Sequence, residues 1–147
     1  MSASGSDPVH IEKNELFEIG NNFWNIRVNF KMFAGLVDLG SQMSLIRLNN
    51  GNFLVIDTVL LTQQTRAEID RLTENGTKIE AVIGVHPFHT LAFPAFYEAY
   101  PKTQYYGTPR HLRRLTQIPW VGSLEDSNVR EKWAPEVEMK IPAGKDF

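Results

Sequence analysis

The sequence contains no cysteine, which excludes disulfide cross-links and thiolate metal centres together. Any metal site must be assembled from histidine, aspartate, glutamate and water. Histidine itself is scarce, with four in 147 residues, so the position of each one matters. No apolar run approaches the roughly 20 residues that a membrane-spanning helix requires. Met1 to Asp7 is small and polar rather than basic and then apolar, which does not match a secretory signal. From these absences we expect a cytoplasmic protein with no membrane partner. Strong charge of one sign is missing too: a net charge of −2 gives no global attraction to nucleic acid, and none is expected as a partner.

What is present fits one globular domain, since 42% of residues are apolar and 22% charged, enough to bury a core. The clearest period runs from Phe23 to Phe33. Trp24, Ile26, Val28, Phe30 and Met32 fall on one face, Asn25, Arg27, Asn29 and Lys31 on the other, as in a half-buried strand. Met43–Leu48 and Asn52–Ile56 flank Asn49-Asn50-Gly51. Asn-Gly supplies two residues that tolerate positive φ, so these segments read as a hairpin. Phe53-Leu54-Val55-Ile56 is continuously apolar, as a strand covered on both faces would be. A helix follows, capped by Thr62 or by Thr65 with Glu68 completing a capping box. Ala67, Ile69 and Leu72 form its apolar stripe and Asn75-Gly76 its end.

Ile79–Val85 reads as a second buried strand, which makes strand, helix and strand a βαβ unit. Pro94 suits a first helical turn continued by Ala95–Tyr100, and Phe93, Phe96, Tyr97 and Tyr100 have the helical spacing of core residues. Thr103–Tyr106 reads as a third strand of the same sheet and Pro109–Leu115 as a short helix. From Pro119 to Pro135 the pattern is irregular, and Val137–Ile141 alternates again.

This order gives chemistry a location, because ligands of open α/β sheets sit past the carboxyl ends of parallel strands. Three strands here end in Asp57-Thr58, in His86-Pro87-Phe88-His89-Thr90, and in Gly107-Thr108-Pro109-Arg110-His111. Asp57 and His86 are expected to face one cleft, and Asp57, His86 and His89 are the candidate metal ligands. Arg110, His111, Arg113 and Arg114 form a basic cluster opening a helix, a candidate anion site for phosphate or carboxylate. His10, in the N-terminal segment, has no such context.

The order of elements resembles the first half of the metallo-β-lactamase fold. In that family the strand before the first long helix ends in an apolar-Asp-small pattern, to which Val55-Ile56-Asp57-Thr58 is similar. The next strand of the family runs into His-x-His-x-Asp-His, which loads two divalent metals. Aligned from His86, this chain keeps the first histidine but has Phe88, Thr90 and Leu91 at the other three positions, while His89 is an extra histidine out of phase.

The resemblance therefore implies an α/β fold with a mixed sheet, a βαβ unit and helices packed on one face, half of the αββα sandwich. It places an N-terminal segment at 1–22 and a half domain, truncated relative to the family, at 23–147. It implies a metallo-β-lactamase-like protein without an intact dinuclear metal site and of undefined substrate. The alternative is a metal-dependent hydrolase keeping a single zinc or other divalent metal through His86 and Asp57. No cofactor is firmly implied, because two ligands hold a divalent cation poorly. A half sandwich also leaves the face of Ile26, Val28, Phe30 and Met32 without cover, so a homodimer or a second half-domain is expected as partner.

Overall fold

The alternating segment and the hairpin build the antiparallel half of one sheet, and the βαβ unit starts its parallel half. The computed structural model describes residues 9–11, 15–32 and 37–140, with side chains at 16–27 and 42–140. In chain order the strands are β1 (Val9–Ile11), β2 (Glu15–Gly20), β3 (Phe23–Met32), β4 (Val37–Arg47), β5 (Phe53–Ile56), β6 (Ile79–Ile83), β7 (Gln104–Gly107) and β8 (Trp120–Ser123). Helix α1 (Gln63–Thr73) links β5 to β6, α2 (Phe93–Ala99) links β6 to β7, α3 (Pro109–Arg114) links β7 to β8, and α4 (Ser127–Arg130) follows β8. The sheet runs β1-β3-β4-β5-β6-β7-β8, with β2 also paired to β3. Pairing is antiparallel from β1 to β5 and parallel from β5 to β8. Phe33 and Ile141, ends of two expected strands, lie outside the described residues.

The hairpin forms where expected, with Asn49, Asn50 and Gly51 as its loop. Gly51 donates to the Leu48 carbonyl and Leu48 to the Asn52 carbonyl, and of the turn residues Gly51 takes positive φ, +88°. That is a three-residue loop with glycine in the left-handed position, rather than a two-residue Asn-Gly turn. Helix α1 is capped by Thr62, whose side chain accepts from the Thr65 amide. Thr65 is inside the first turn and buried, so the Thr65/Glu68 box does not form as expected. The buried stripe is Thr65, Ile69 and Thr73, at i, i+4 and i+8. Leu72 packs partly against the core, whereas Ala67 is exposed.

Strand β5 is covered on both faces, as its continuous apolar run requires. Phe53 and Val55 join Trp24, Ile26, Met43, Leu45, Ile69, Val82, Phe93, Phe96 and Tyr105 on the side of α1, α2 and α3. Leu54, Ala81, Ile83 and Tyr106 face the other way and meet Leu124 and Trp133, with Val129, Val137 and Met139 packed around them. Each such burial contributes about 1.5–3 kcal/mol relative to exposure.

Two expectations about cover change here. Ile26 is fully buried on the helix side, not on an uncovered face; the side chains of Val28, Phe30 and Met32 lie outside those described. The opposite face of β5–β7 is covered by the chain's own segment from Leu124 to Met139. The stretch Pro119–Pro135 is thus not irregular: it holds β8, parallel to β7, and the short α4, capped by Asp126. Val137–Lys140 alternates in burial without joining a strand, because Val137 and Met139 lie on the second core cluster. Segment 1–22 contributes β1 and β2 to the same sheet, both on β3.

Candidate functional site

The carboxyl ends of β5, β6 and β7 lie on one edge, as parallel pairing demands. Asp57 extends the β5 ladder by one step, donating its amide to the Ile83 carbonyl at 2.8 Å. The chain then turns through φ = 58° at Asp57, a left-handed conformation that aspartate tolerates better than most residues. The turn folds the carboxylate back over the end of β6. Oδ1 accepts from the amides of Val85 at 2.8 Å and His86 at 3.4 Å, and Oδ2 is paired with His86 Nδ1. Asp57 is 2% exposed, so its charge is spent inside this latch.

His86 answers from the other side of the bond. Its hydrogen bond to Asp57 holds its pKa above the ordinary imidazole value; burial opposes the shift, and the charge of Asp57 adds to it. Because Nδ1 faces Asp57, Nε2 is the ring nitrogen left for a ligand. The His89 ring lies 4.8 Å from the His86 ring, centroid to centroid. Its Nδ1 is buried without a hydrogen-bond partner. Asp57, His86 and His89 together bring one ligand atom each to within 4.8 Å of one another.

His111 does not share a surface with the arginines that surround it in sequence. It is fully buried and closes a capping box at the start of α3 with Thr108. The Thr108 amide donates to His111 Nδ1 at 3.2 Å, so the proton sits on Nε2 and is donated to the His89 carbonyl at 3.3 Å. Burial is the main cause that pushes the His111 pKa down, which keeps the ring neutral and suits that tautomer. His111 thereby ties the β7–α3 turn to the histidine loop. Thr108 was missed as part of this arrangement, although Thr-Pro at a helix start is a cap signal. Arg110 turns over the same loop, with Cζ 4.6 Å from the Phe88 ring centroid. Arg113 and Arg114 are exposed.

Among the described residues Asp57, His86 and His89 are the group that could hold a metal ion. Two imidazoles suit zinc, but Asp57 is already committed to two amides and to His86. Phe88 and Leu91 are exposed apolar side chains, and neither can ligate. Among the described residues no helix is long and apolar enough to cross a membrane.

No family model matches the sequence, and no curated protein does. The fold, by contrast, is found among solved structures. The metallo-β-lactamase DIM-1 exposed to ceftazidime aligns with a TM-score of 0.57 at 14% identity, over 78% of this chain and 53% of its own. A metallo-β-lactamase from Erythrobacter litoralis aligns with a TM-score of 0.56 at 15% identity, over 86% of this chain and 60% of its own. FIM-1 from Pseudomonas aeruginosa, in its mono-zinc form, gives 0.51 at 15% identity, over 80% and 51%. The chain has the fold of the metallo-β-lactamases and spans about half the length of those it matches.

Proposed function

We propose that this chain is a metallo-β-lactamase-like domain that binds a single divalent cation, best matched by zinc, and has no dinuclear hydrolytic centre. The observation that carries the reading is the convergence of Asp57, His86 and His89 ligand atoms within 4.8 Å. Phe88, Thr90 and Leu91 stand where the family's motif has further ligands. His86, through Nε2, and His89 would hold the cation, which would supply Lewis acidity there. Asp57 would orient His86 from outside, as carboxylates commonly do for metal-bound histidines. Catalytic zinc sites generally use three protein ligands and one open position, and this set falls short of that. The mono-zinc form of FIM-1 is a precedent for one cation in this fold. A second reading, a hydrolase with one metal on His86 and Asp57, is favoured by the place of Asp57 in the same cluster. It requires Asp57 to exchange its bond to His86 for the cation.

Zinc titration of the metal-free chain by calorimetry, with elemental analysis of the purified protein, tests the proposal. The expected result is less than one metal per chain as purified, one at saturation, and none after His86→Ala. Two zinc ions per chain, or no saturable binding, would overturn it.

A further inference from the structure

Beside the histidines the edge carries a cation that no internal group neutralises. Arg110 is the second residue of α3, and its neighbour His111 is locked to Thr108 and to the His89 carbonyl. The backbone that carries Arg110 is therefore fixed relative to the histidine loop. Its guanidinium lies over the Phe88 ring, 4.6 Å from the centroid, a cation–π contact that orients the planar fork. Among the described residues no carboxylate is within ion-pair distance of it. Its Nε is buried and has no hydrogen-bond partner, an arrangement that is costly unless something else accepts from it. The buried side-chain nitrogen and oxygen atoms left without a partner among the described residues are Thr58 Oγ1, His89 Nδ1 and Arg110 Nε, all from segments that lie at this edge. The adjoining loop is apolar and open: Phe88 is 77% and Leu91 55% exposed. Asp57, the acidic group of the edge, is buried with both oxygens bonded, so it leaves Arg110 uncompensated.

We infer that Arg110 and Phe88 form a recognition site for a small organic oxyanion, a carboxylate or phosphate carried on an apolar body, beside His86 and His89. The guanidinium fork receives the oxyanion in a bidentate manner that an ammonium cannot reproduce, and Phe88 and Leu91 receive the body. The inference narrows the basic cluster read from the sequence to Arg110, since His111 is internal. It deepens the proposed reading by naming a ligand class for the same edge, yet it needs no cation.

The experiment uses the metal-free chain, so that failure of the zinc titration and failure of this inference are separable. Phenyl phosphate, benzoate, inorganic phosphate and phenol are titrated by calorimetry and by amide NMR shifts. The expected result is saturable binding of the aryl anions, tighter than inorganic phosphate and much tighter than phenol. Arg110→Gln should weaken aryl-anion binding about tenfold or more, the scale of one charge-assisted bond. Arg110→Lys should recover only part of it, and Phe88→Ala should bring the aryl anions down to the level of inorganic phosphate. Arg114→Gln should change nothing. Preference for phenyl phosphate identifies a phosphate ligand, and preference for benzoate a carboxylate. Absence of saturable aryl-anion binding, equal binding of phenol, or indifference to Arg110→Gln in a folded variant would overturn the inference.

Discussion

Replacing Asp57 by asparagine, glycine and alanine separates the three things its carboxylate and backbone do. Alanine removes the acceptor of the Val85 and His86 amides, at 2.8 and 3.4 Å. Bonds to a charged acceptor contribute about 1.5–3 kcal/mol each, and the longer one less, so the loss is about 2–4 kcal/mol. Alanine also pays about 1 kcal/mol for the left-handed backbone, which glycine does not. Asparagine tolerates that backbone and keeps a neutral acceptor oxygen, so it should lose only about 1–2 kcal/mol. The expected order of stability in urea unfolding of metal-free protein is wild type, Asn, Gly, Ala. The raised pKa of His86 adds a pH signature. Since the folded value lies above the ordinary 6.5, the pair's stabilisation is complete below about pH 6.5 and is lost as pH rises through the raised value. Asp57→Asn should remove that slope and lower the His86 midpoint in an NMR titration. An alanine variant as stable as the asparagine one, or a His86 midpoint indifferent to Asp57→Asn, would refute the reasoning.

Two further substitutions probe the support of the site and the cover of the sheet. A Cβ at Gly84 would lie 2.8 Å from His111 Nε2 and 2.9 Å from Phe93 Cζ, so Gly84→Ala should cost about 1–3 kcal/mol by overpacking. That corresponds to a fall of about 2–12 °C in Tm by calorimetry, and an unchanged Tm would contradict the packing. Trp133 is buried, donates Nε1–H to Glu80 and meets the Tyr106 ring edge-on at 5.5 Å. Trp133→Ala should cost about 3–5 kcal/mol and speed amide exchange in β6 and β7, whereas a variant with wild-type exchange there would show that this face needs no cover.

The parts of the fold that could be read from the sequence are those whose burial pattern has a single explanation. β5 is a continuous apolar run and β6 is apolar apart from Glu80, with a capped helix between them, so their parallel pairing and the meeting of Asp57 with His86 followed from the order alone. The stripe of α1 was misread because two of its buried residues are threonines. Thr73 can be buried because its hydroxyl bonds the Ile69 carbonyl and accepts from Gly76, a local compensation that hydropathy does not register. β8 and α4 have four residues each, too few for a period to emerge, and Trp120-Val121-Gly122-Ser123 mixes one exposed apolar residue with partly buried ones. At the site, sequence proximity grouped His111 with the arginines. A six-residue helix points adjacent side chains in different directions, and the capping box turns His111 inward while Arg110 lies over Phe88. His89 looked out of phase because it was compared with a linear motif. Proximity in space, set by the turn in which its amide bonds the His86 carbonyl, brings it back to the cluster.

The convergence of three strand ends on one edge bears on how such a domain acquires new specificities. Each of the loops after β5, β6 and β7 begins and ends on a scaffold element, and the loop after β5 is also anchored in the core by Val59, whereas Phe88 and Leu91 in the loop after β6 are exposed. Insertions between Phe88 and Leu91 would enlarge or reshape the rim while the sheet's hydrogen bonding stays as it is, since loops tolerate length changes that sheets do not. Libraries that vary loop length there, with Asp57, His86, His89 and His111 held constant, are therefore a productive starting material for directed evolution on this scaffold.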